Sequence, residues 1–271
     1  MLLDVRVAPP IPTPARVAGP LRPAYRCRLA ASVDEVRAAQ RLRFEVFNLE
    51  LGEGLVRSYA DGLDRDGHDN ACDHLLVVDE TSSRVVGTYR LQSGSTALAA
   101  GGYYSEREFD FTPYEPHRDQ LIELGRACID AQHRSFAVLN LLWRGIAAYA
   151  RGRSARYLVG CSSFAGTSPA AGAAAWRQLQ AHAVAPALRT RPQPGFECSV
   201  EPSPGRDEPV AIPRLLSAYL ALGAQVCGPP AIDHAFGSTD FLTWLDLESP
   251  GVAALRRRGR FFAEPAAPSI G

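Results

Sequence analysis

The sequence predicts an α/β (α+β) domain, a mixed central sheet with helices on both faces. Three observations carry this. Two apolar, β-branched runs at residues 74–80 and 85–92, separated by Thr-Ser-Ser-Arg, form a hairpin. Downstream, an apolar run at 120–129, a helical period from Ser135 to about Tyr149 and another run at 156–162 spell strand, helix, strand. The strands outnumber what a doubly wound sheet needs, so parallel and antiparallel pairs must coexist.

The elements follow in order. Residues 1–24, rich in proline and alanine, are expected to be a disordered arm. A strand runs over 25–30. Ser32-Val-Asp-Glu35 is a capping box that starts a helix, along which Val36, Ala39, Val46 and Phe47 recur periodically. Residues 51–73 hold glycine and many acids and form a long loop. After the hairpin, Gly101-Gly-Tyr-Tyr104 marks a turn with a short edge element. Ser135 caps a helix whose Val138, Leu141, Leu142, Ile146 and Tyr149 share one face.

An alanine-rich helix follows at 169–188, and then a proline-rich, lid-like insert near 190–213. Pro213 opens a last helix that runs through 215–222 and stops at Gly223. Closing strands are placed at 224–227 and 241–247. One domain therefore spans 25–250, and 251–271 is a flexible basic tail.

Composition narrows the function. The 271 residues carry 29 basic and 29 acidic side chains, so no global field draws in nucleic acid. Every basic residue is arginine, which excludes a Schiff-base or P-loop lysine. The six cysteines are scattered without a CxxC pair, which argues against a zinc site or disulfide framework and fits a reducing compartment. The N-terminus lacks a signal-peptide pattern, and no apolar run is long enough to span a membrane. A cytoplasmic protein is expected.

Four polar groups fall where burial is expected. Arg43 and Phe47 lie four apart on the first helix, hence on one face; the alternative is a surface arginine beside a core phenylalanine. The acidic loop carries Asp61, Asp64, Asp66, Asp69 and Asp73. It lacks the spacing of an EF-hand, so no metal is assigned; it is either a solvated loop or a receptor for a cationic amine. Arg90 sits in an apolar strand and needs an acidic partner if it points inward.

Glu123-Leu-Gly-Arg126 lies in the central strand. On a regular strand, positions 123 and 126 face opposite ways. A bulge at Gly125 would bring them to one face and free backbone N–H groups for a thioester oxyanion. Glu123 would then be a general base, or else the pair is a structural ion pair.

Arg43 and Phe47, Asp66-x-x-Asp69, Arg90 and Glu123-x-x-Arg126 are similar in order and spacing to the acyl-homoserine lactone (autoinducer) synthases. The surrounding text more closely resembles their sister family, the ornithine-acyl-ACP N-acyltransferases, once labelled hemolysin-like. The matching stretches are Cys72-Asp-His-Leu-Leu-Val77, Val86-Gly-Thr-Tyr-Arg-Leu91, Gly102-Tyr-Tyr-Ser-Glu-Arg-Glu-Phe109, Ile122-Glu-Leu-Gly-Arg-Ala-Cys128 and Leu141-Leu-Trp-Arg-Gly145. Further on come Leu158-Val-Gly-Cys-Ser-Ser163, Leu215-Leu-Ser-Ala-Tyr-Leu-Ala-Leu-Gly223, Cys227-Gly-Pro-Pro-Ala-Ile-Asp233 and Asp240-Phe-Leu242. The resemblance covers about residues 25–247 and implies a GNAT-like fold.

It also implies transfer of a long, 3-hydroxy fatty acyl group from acyl carrier protein to the α-amine of ornithine, giving lyso-ornithine lipid. Glu123 would be the base, or position a water that serves. Arg126 would hold Glu123 or the acceptor carboxylate. Asp66 and Asp69 would hold the acceptor's second ammonium, with Arg43 and Arg90 pairing these acids or binding carboxylate. No separate cofactor is implied, because the 4'-phosphopantetheine arrives on the donor.

Gln132-His-Arg-Ser-Phe-Ala-Val138 lacks the glycine loop with which GNAT enzymes cradle the coenzyme A pyrophosphate, which favours a carrier-protein donor. Arg151, Arg153 and Arg156 form a candidate dock for that acidic partner, or else compensate a helix C-terminus. The tail Arg256-Arg-Arg-Gly-Arg-Phe-Phe262 could touch an anionic membrane surface, or be a solvated tail. The histidines form no triad and there is no G-x-S-x-G elbow, so covalent catalysis is not favoured. Three alternatives stay open: another amine acceptor, a coenzyme A-dependent acetyltransferase, and a non-catalytic acyl or carrier-protein binding module.

Overall fold

The computed structural model describes residues 24–200 and 210–257. Apart from Ala24, the predicted N-terminal arm lies outside them, as does the tail beyond Arg257.

The chain begins with β1 (Tyr25–Leu29), followed by α1 (Val33–Phe44). Half of the expected capping box forms: the Ser32 hydroxyl accepts the Glu35 N–H at 3.3 Å, but the Glu35 carboxylate accepts the Ala31 N–H at 2.6 Å instead of that of Ser32. The helix then widens into a π-type turn over Glu45–Glu50. The acidic stretch is not open loop but two 3-10 turns, Val56–Ala60 and Gly67–Ala71. The hairpin is β2 (Asp73–Asp79) and β3 (Arg84–Ser93).

The expected edge element near Gly101 is instead helical: α2 (Gly94–Ala99), then a 3-10 turn, Tyr104–Arg107. The central pattern is β4 (Leu121–Ile129), α3 (Phe136–Gly152) and β5 (Tyr157–Ala165). The alanine-rich α4 (Pro169–Leu179) stops short of 188. Residues 190–200 dock on the body: Thr190 N–H donates to Cys227 O at 2.9 Å, and Glu197 bridges Ala231. The rest of the lid-like insert, 201–209, lies outside the described residues.

Pro213 precedes α5 (Arg214–Ala221) rather than opening it. The chain closes with β6 (Gln225–Val226), β7 (Ala231–Asp233), β8 (Ser238–Asp246) and α6 (Pro250–Arg257). Thus the first part of the predicted tail is helical, with Val252 buried in the core.

The sheet order is β1-β2-β3-β4-β5-β8-β6, with β7 also on β8; only β4 and β5 pair in parallel. Strand alternation divides the core. Ile122, Leu158 and Leu245 join Val138, Leu142 and Ile146 of α3 on one face. Each fully buried side chain of this kind stabilises the fold by about 1.5–3 kcal/mol. Leu121, Val159 and Leu242 pack on the opposite face with Tyr103, Phe109 and Tyr114.

Two irregularities matter for function. First, β3 and β4 shift register between Thr88 and Arg90, which face Cys128 and Gly125. The additional residue is on β4, where Arg126 has φ +50°. The expected bulge is present, but the residue bearing the left-handed backbone is Arg126, not Gly125. Second, β4 and β5 pair only through Leu121 with Tyr157, Ile122 with Leu158 and Glu123 with Val159. Beyond Glu123 the two strands no longer pair, and the sheet is split at its centre.

Candidate active site

The split is lined from both faces of the sheet by a cavity of about 230 Å³. Tyr89, Trp143, Leu216, Tyr219, Ala224 and Leu245 form its apolar end. Arg90, Tyr104, Ser105, Glu123, Arg126 and Asp240 form its polar end. Phe47 also lines it, packed edge-on against Phe236 at 5.6 Å. Gly160 makes the geometry possible: a Cβ there would lie 2.2 Å from the Leu124 carbonyl oxygen.

The bulge brings Glu123 and Arg126 to one face, but they bond to different partners. Glu123 is buried and accepts hydrogen bonds from Tyr104 N–H and Ser105 N–H, each at 2.8 Å, and from the Ser105 hydroxyl. Burial pushes its pKa above the ordinary carboxylate value, and the donors from Ser105 and Tyr104 only partly oppose this.

Arg126 joins a closed ring of alternating charge. Arg43 faces Asp64 at 3.1 Å and Asp69 at 2.7 Å. Arg90 meets Asp69 at 3.1 Å and Asp66 at 2.7 Å. Arg126 closes the circuit to Asp66 at 3.2 Å and Asp64 at 3.3 Å. Arg43 and Asp64 are fully buried, and the other four side chains nearly so. Such burial holds only because each charge has opposite neighbours on two sides. Burial works against ionising Asp69, but Arg43 and Arg90 outweigh it and bring its pKa to about 2. The same balance, with Arg90 and Arg126, holds Asp66 below the usual carboxylate range.

The ring revises the sequence reading. Arg43 and Arg90 do pair the acids, as expected. Asp66 and Asp69, however, are saturated by arginine, and Asp69 also accepts from Gln40 at 2.9 Å. They have little capacity left for an incoming ammonium. Arg126 is held by aspartates rather than by Glu123. Asp64, grouped in the sequence reading only with the acidic loop, carries the ring's third negative charge and faces Arg43 and Arg126 rather than an incoming amine.

Tyr104 links this ring to a second acidic group. Its ring lies under Arg126 at 5.1 Å, and its hydroxyl donates to Asp233 at 3.1 Å. Its only sequence signal was the Gly102-Tyr-Tyr-Ser motif. Arg153 is paired with Asp73 at 2.7 Å and lies over the Tyr149 ring at 3.6 Å. Arg156 is paired with Asp246 at 2.7 Å and Glu248 at 3.1 Å. Two of the three docking candidates are therefore locally neutralised, and Arg151 stays exposed. Burial pushes the Cys161 thiol well above its ordinary pKa, with Glu108 and Asp240 adding to the effect, so it is a poor nucleophile. No helix among the described residues is long and apolar enough to cross a membrane.

A sheet split at β4 and β5, with a bulge and a buried carboxylate at the split, defines an acyltransferase of the GNAT kind. The acetyltransferase (GNAT) domain family matches residues 42–144, from α1 into α3. The AHL synthase LasI superposes with a TM-score of 0.50 at 12% identity, covering 90% of this chain and 100% of that one. FeeM, an N-acyl amino acid synthase from uncultured soil microbes, gives 0.52 at 13% identity, covering 88% and 96%. These two likenesses concern the fold alone.

Sequence relatives are more specific. An L-ornithine N(alpha)-acyltransferase of Rhodobacter capsulatus is 35% identical over 235 residues, 83% of this chain and 91% of the relative. One of Brucella abortus is 37% identical over 235 residues, 82% and 84% of the two chains. The chain belongs to the L-ornithine N(alpha)-acyltransferase family.

Proposed function

We propose that this chain transfers a long 3-hydroxyacyl group from acyl carrier protein to the α-amine of ornithine, forming lyso-ornithine lipid. The observation that carries the reading is the cavity at the split, apolar at one end and closed at the other by Glu123 on a bulged strand. The activity for which the family is named supports ornithine as acceptor.

In this reading the acyl chain lies between Tyr89, Trp143 and Tyr219, where apolar surface leaves water. The thioester carbonyl lies at the bulge, and backbone N–H groups there stabilise the oxyanion. Glu123, directly or through Ser105, takes the proton from the attacking amine. The nitrogen–carbon bond forms, the carbon–sulfur bond breaks, and the proton taken from the amine passes to the departing sulfur, so the carrier leaves as its thiol. The charge ring is the scaffold that fixes Arg126, Arg90 and Tyr104 around the amine. Arg151 and the basic end of α6 are left as the docking and membrane-surface candidates.

The test supplies the purified chain with 3-hydroxyacyl carrier protein or the matching acyl-coenzyme A, each with a panel of amino acids. Products are identified by mass spectrometry. Lyso-ornithine lipid from the carrier-protein donor alone is expected. Equal use of acyl-coenzyme A would overturn the donor, and acylation of another amine alone would overturn the acceptor.

A further inference from the structure

Each aspartate of the ring has its arginines, but the carboxylates beyond Tyr104 have none. Glu108 is fully buried and Asp240 is 3% exposed. Ligand atoms of Glu108, Cys161 and Asp240 lie within 4.8 Å of one another. Asp233 is also buried, but its oxygens are occupied by Tyr104 Oη and by the N–H groups of Ala235 and Phe236. Glu53 lines the cavity beside Asp240. No ion pair reaches these four acids among the described residues.

A second observation points to a ligand. Glu108 Oε1 and Asp240 Oδ1 have no hydrogen-bond partner, and Asp240 is part of the cavity wall. A buried carboxylate with an empty lone pair is costly unless a proton or a cation arrives. Burial raises both pKa values; Asp240 and Asp233 push Glu108 up further, whereas the hydrogen bond from Glu108 lowers Asp240, so the proton the pair favours sits on Glu108 and is shared with Asp240.

We infer that Glu108 and Asp240, with Glu53 at the rim, are the receptor for the side-chain ammonium of the acceptor amino acid. The inference rests on the acyl-transfer reading and supplies its basis for selectivity. An ammonium offers three donors and one positive charge, which matches two carboxylates better than any neutral side chain. The receptor is also close to the chemistry. The Ser105 hydroxyl bonds Glu123 and lies 3.4 Å from Cys161 Sγ, which lies 3.6 Å from Glu108 Oε2. One short diamino acid can thus place its α-amine at Glu123 and its distal amine at Glu108 and Asp240.

The test compares ornithine with norvaline, the same skeleton without the distal amine, using the full chain and 3-hydroxyacyl carrier protein. Wild type is expected to prefer ornithine strongly in kcat/KM. Asp240→Asn and Glu108→Gln are expected to lower the ornithine-to-norvaline ratio about 100-fold, the size of losing one partner of a buried charge pair. An unchanged ratio in both variants would overturn the receptor and leave ornithine acylation standing.

If wild type instead acylates only a different diamino acid, the acceptor assignment falls, and the receptor stands provided Asp240→Asn loses that acceptor. Indifference of wild type to the distal amine would overturn both. Calorimetry on wild type in buffers of different ionisation enthalpy needs no variant to fold. Ornithine is expected to release a proton on binding and norvaline none; equal proton release, or a stoichiometric metal ion at this site, would overturn the proposal.

Discussion

Glu123 and Arg126 lie three residues apart on β4 and face the same cavity, yet they do not pair. The bulge at Arg126 reverses the alternation that would have sent them to opposite faces. Glu123 is held by the turn that carries Tyr104 and Ser105, and Arg126 by Asp64 and Asp66. Separate anchoring leaves the carboxylate without a permanent counter-charge. That is the condition under which burial can raise its pKa and make it a usable base.

Glu123→Gln preserves shape and removes the base that the proposed mechanism assigns. Single-turnover acyl transfer is expected to slow about 10²–10⁴-fold, with circular dichroism unchanged. The raised pKa gives the sign of the pH effect. The base works ionised, so the acidic limb of kcat/KM should lie above the ordinary glutamate value of about 4.3 and vanish in the variant. A limb at the ordinary value would remove Glu123 from the proton path.

The charge ring is a stability element. Asp69→Asn leaves Arg43 and Arg90 each short of a partner in a buried site, at a cost of about 3–5 kcal/mol in urea denaturation. Asp69 has a depressed folded pKa, so its contribution is complete above the unfolded value of about 3.9. It is lost as pH falls toward about 2. The folded fraction should keep its ornithine KM; a selective rise in KM would return Asp69 to acceptor binding.

Gly160→Ala tests the split itself. The new methyl would meet the Leu124 carbonyl oxygen at 2.2 Å, and backbone on both sides cannot yield cheaply. Overpacking of this kind costs about 1–3 kcal/mol. Because the clash lies where β4 and β5 separate, kcat should fall more than stability alone explains. Thermal melting and turnover on the same sample separate the two effects.

The parts legible in the sequence were those set by local chemistry. Ser32 and Ser135 cap the helices they were expected to cap, because a cap is a contact across three residues. The hairpin followed from its two apolar runs. The helix α2 was missed because Gly94 follows its cap, Ser93, and masks a short helical turn. Strand β7 is too short to show a period. The charge ring was beyond local reading, since Arg126 meets Asp66 across 60 residues. Glu108 and Asp240 stand inside the motifs that carry the family resemblance, but only the folded sheet shows that neither has a cationic partner among the described residues.

The apolar end of the cavity should set acyl chain length. Ala224 is 5% exposed and lines that end beside Tyr219 and Leu245. Its methyl is the smallest side chain there, so Ala224→Phe adds bulk where the chain terminus would lie. Each displaced methylene forfeits about 0.8 kcal/mol of burial, or about fourfold in kcat/KM. A donor series of increasing length should therefore show little loss for short chains and a loss that steepens with each added carbon. The optimum shifts to shorter donors while the acceptor KM stays put. A uniform loss across all lengths would mean that the acyl chain leaves the split by another route and that Ala224 serves only the packing of α5 against the sheet.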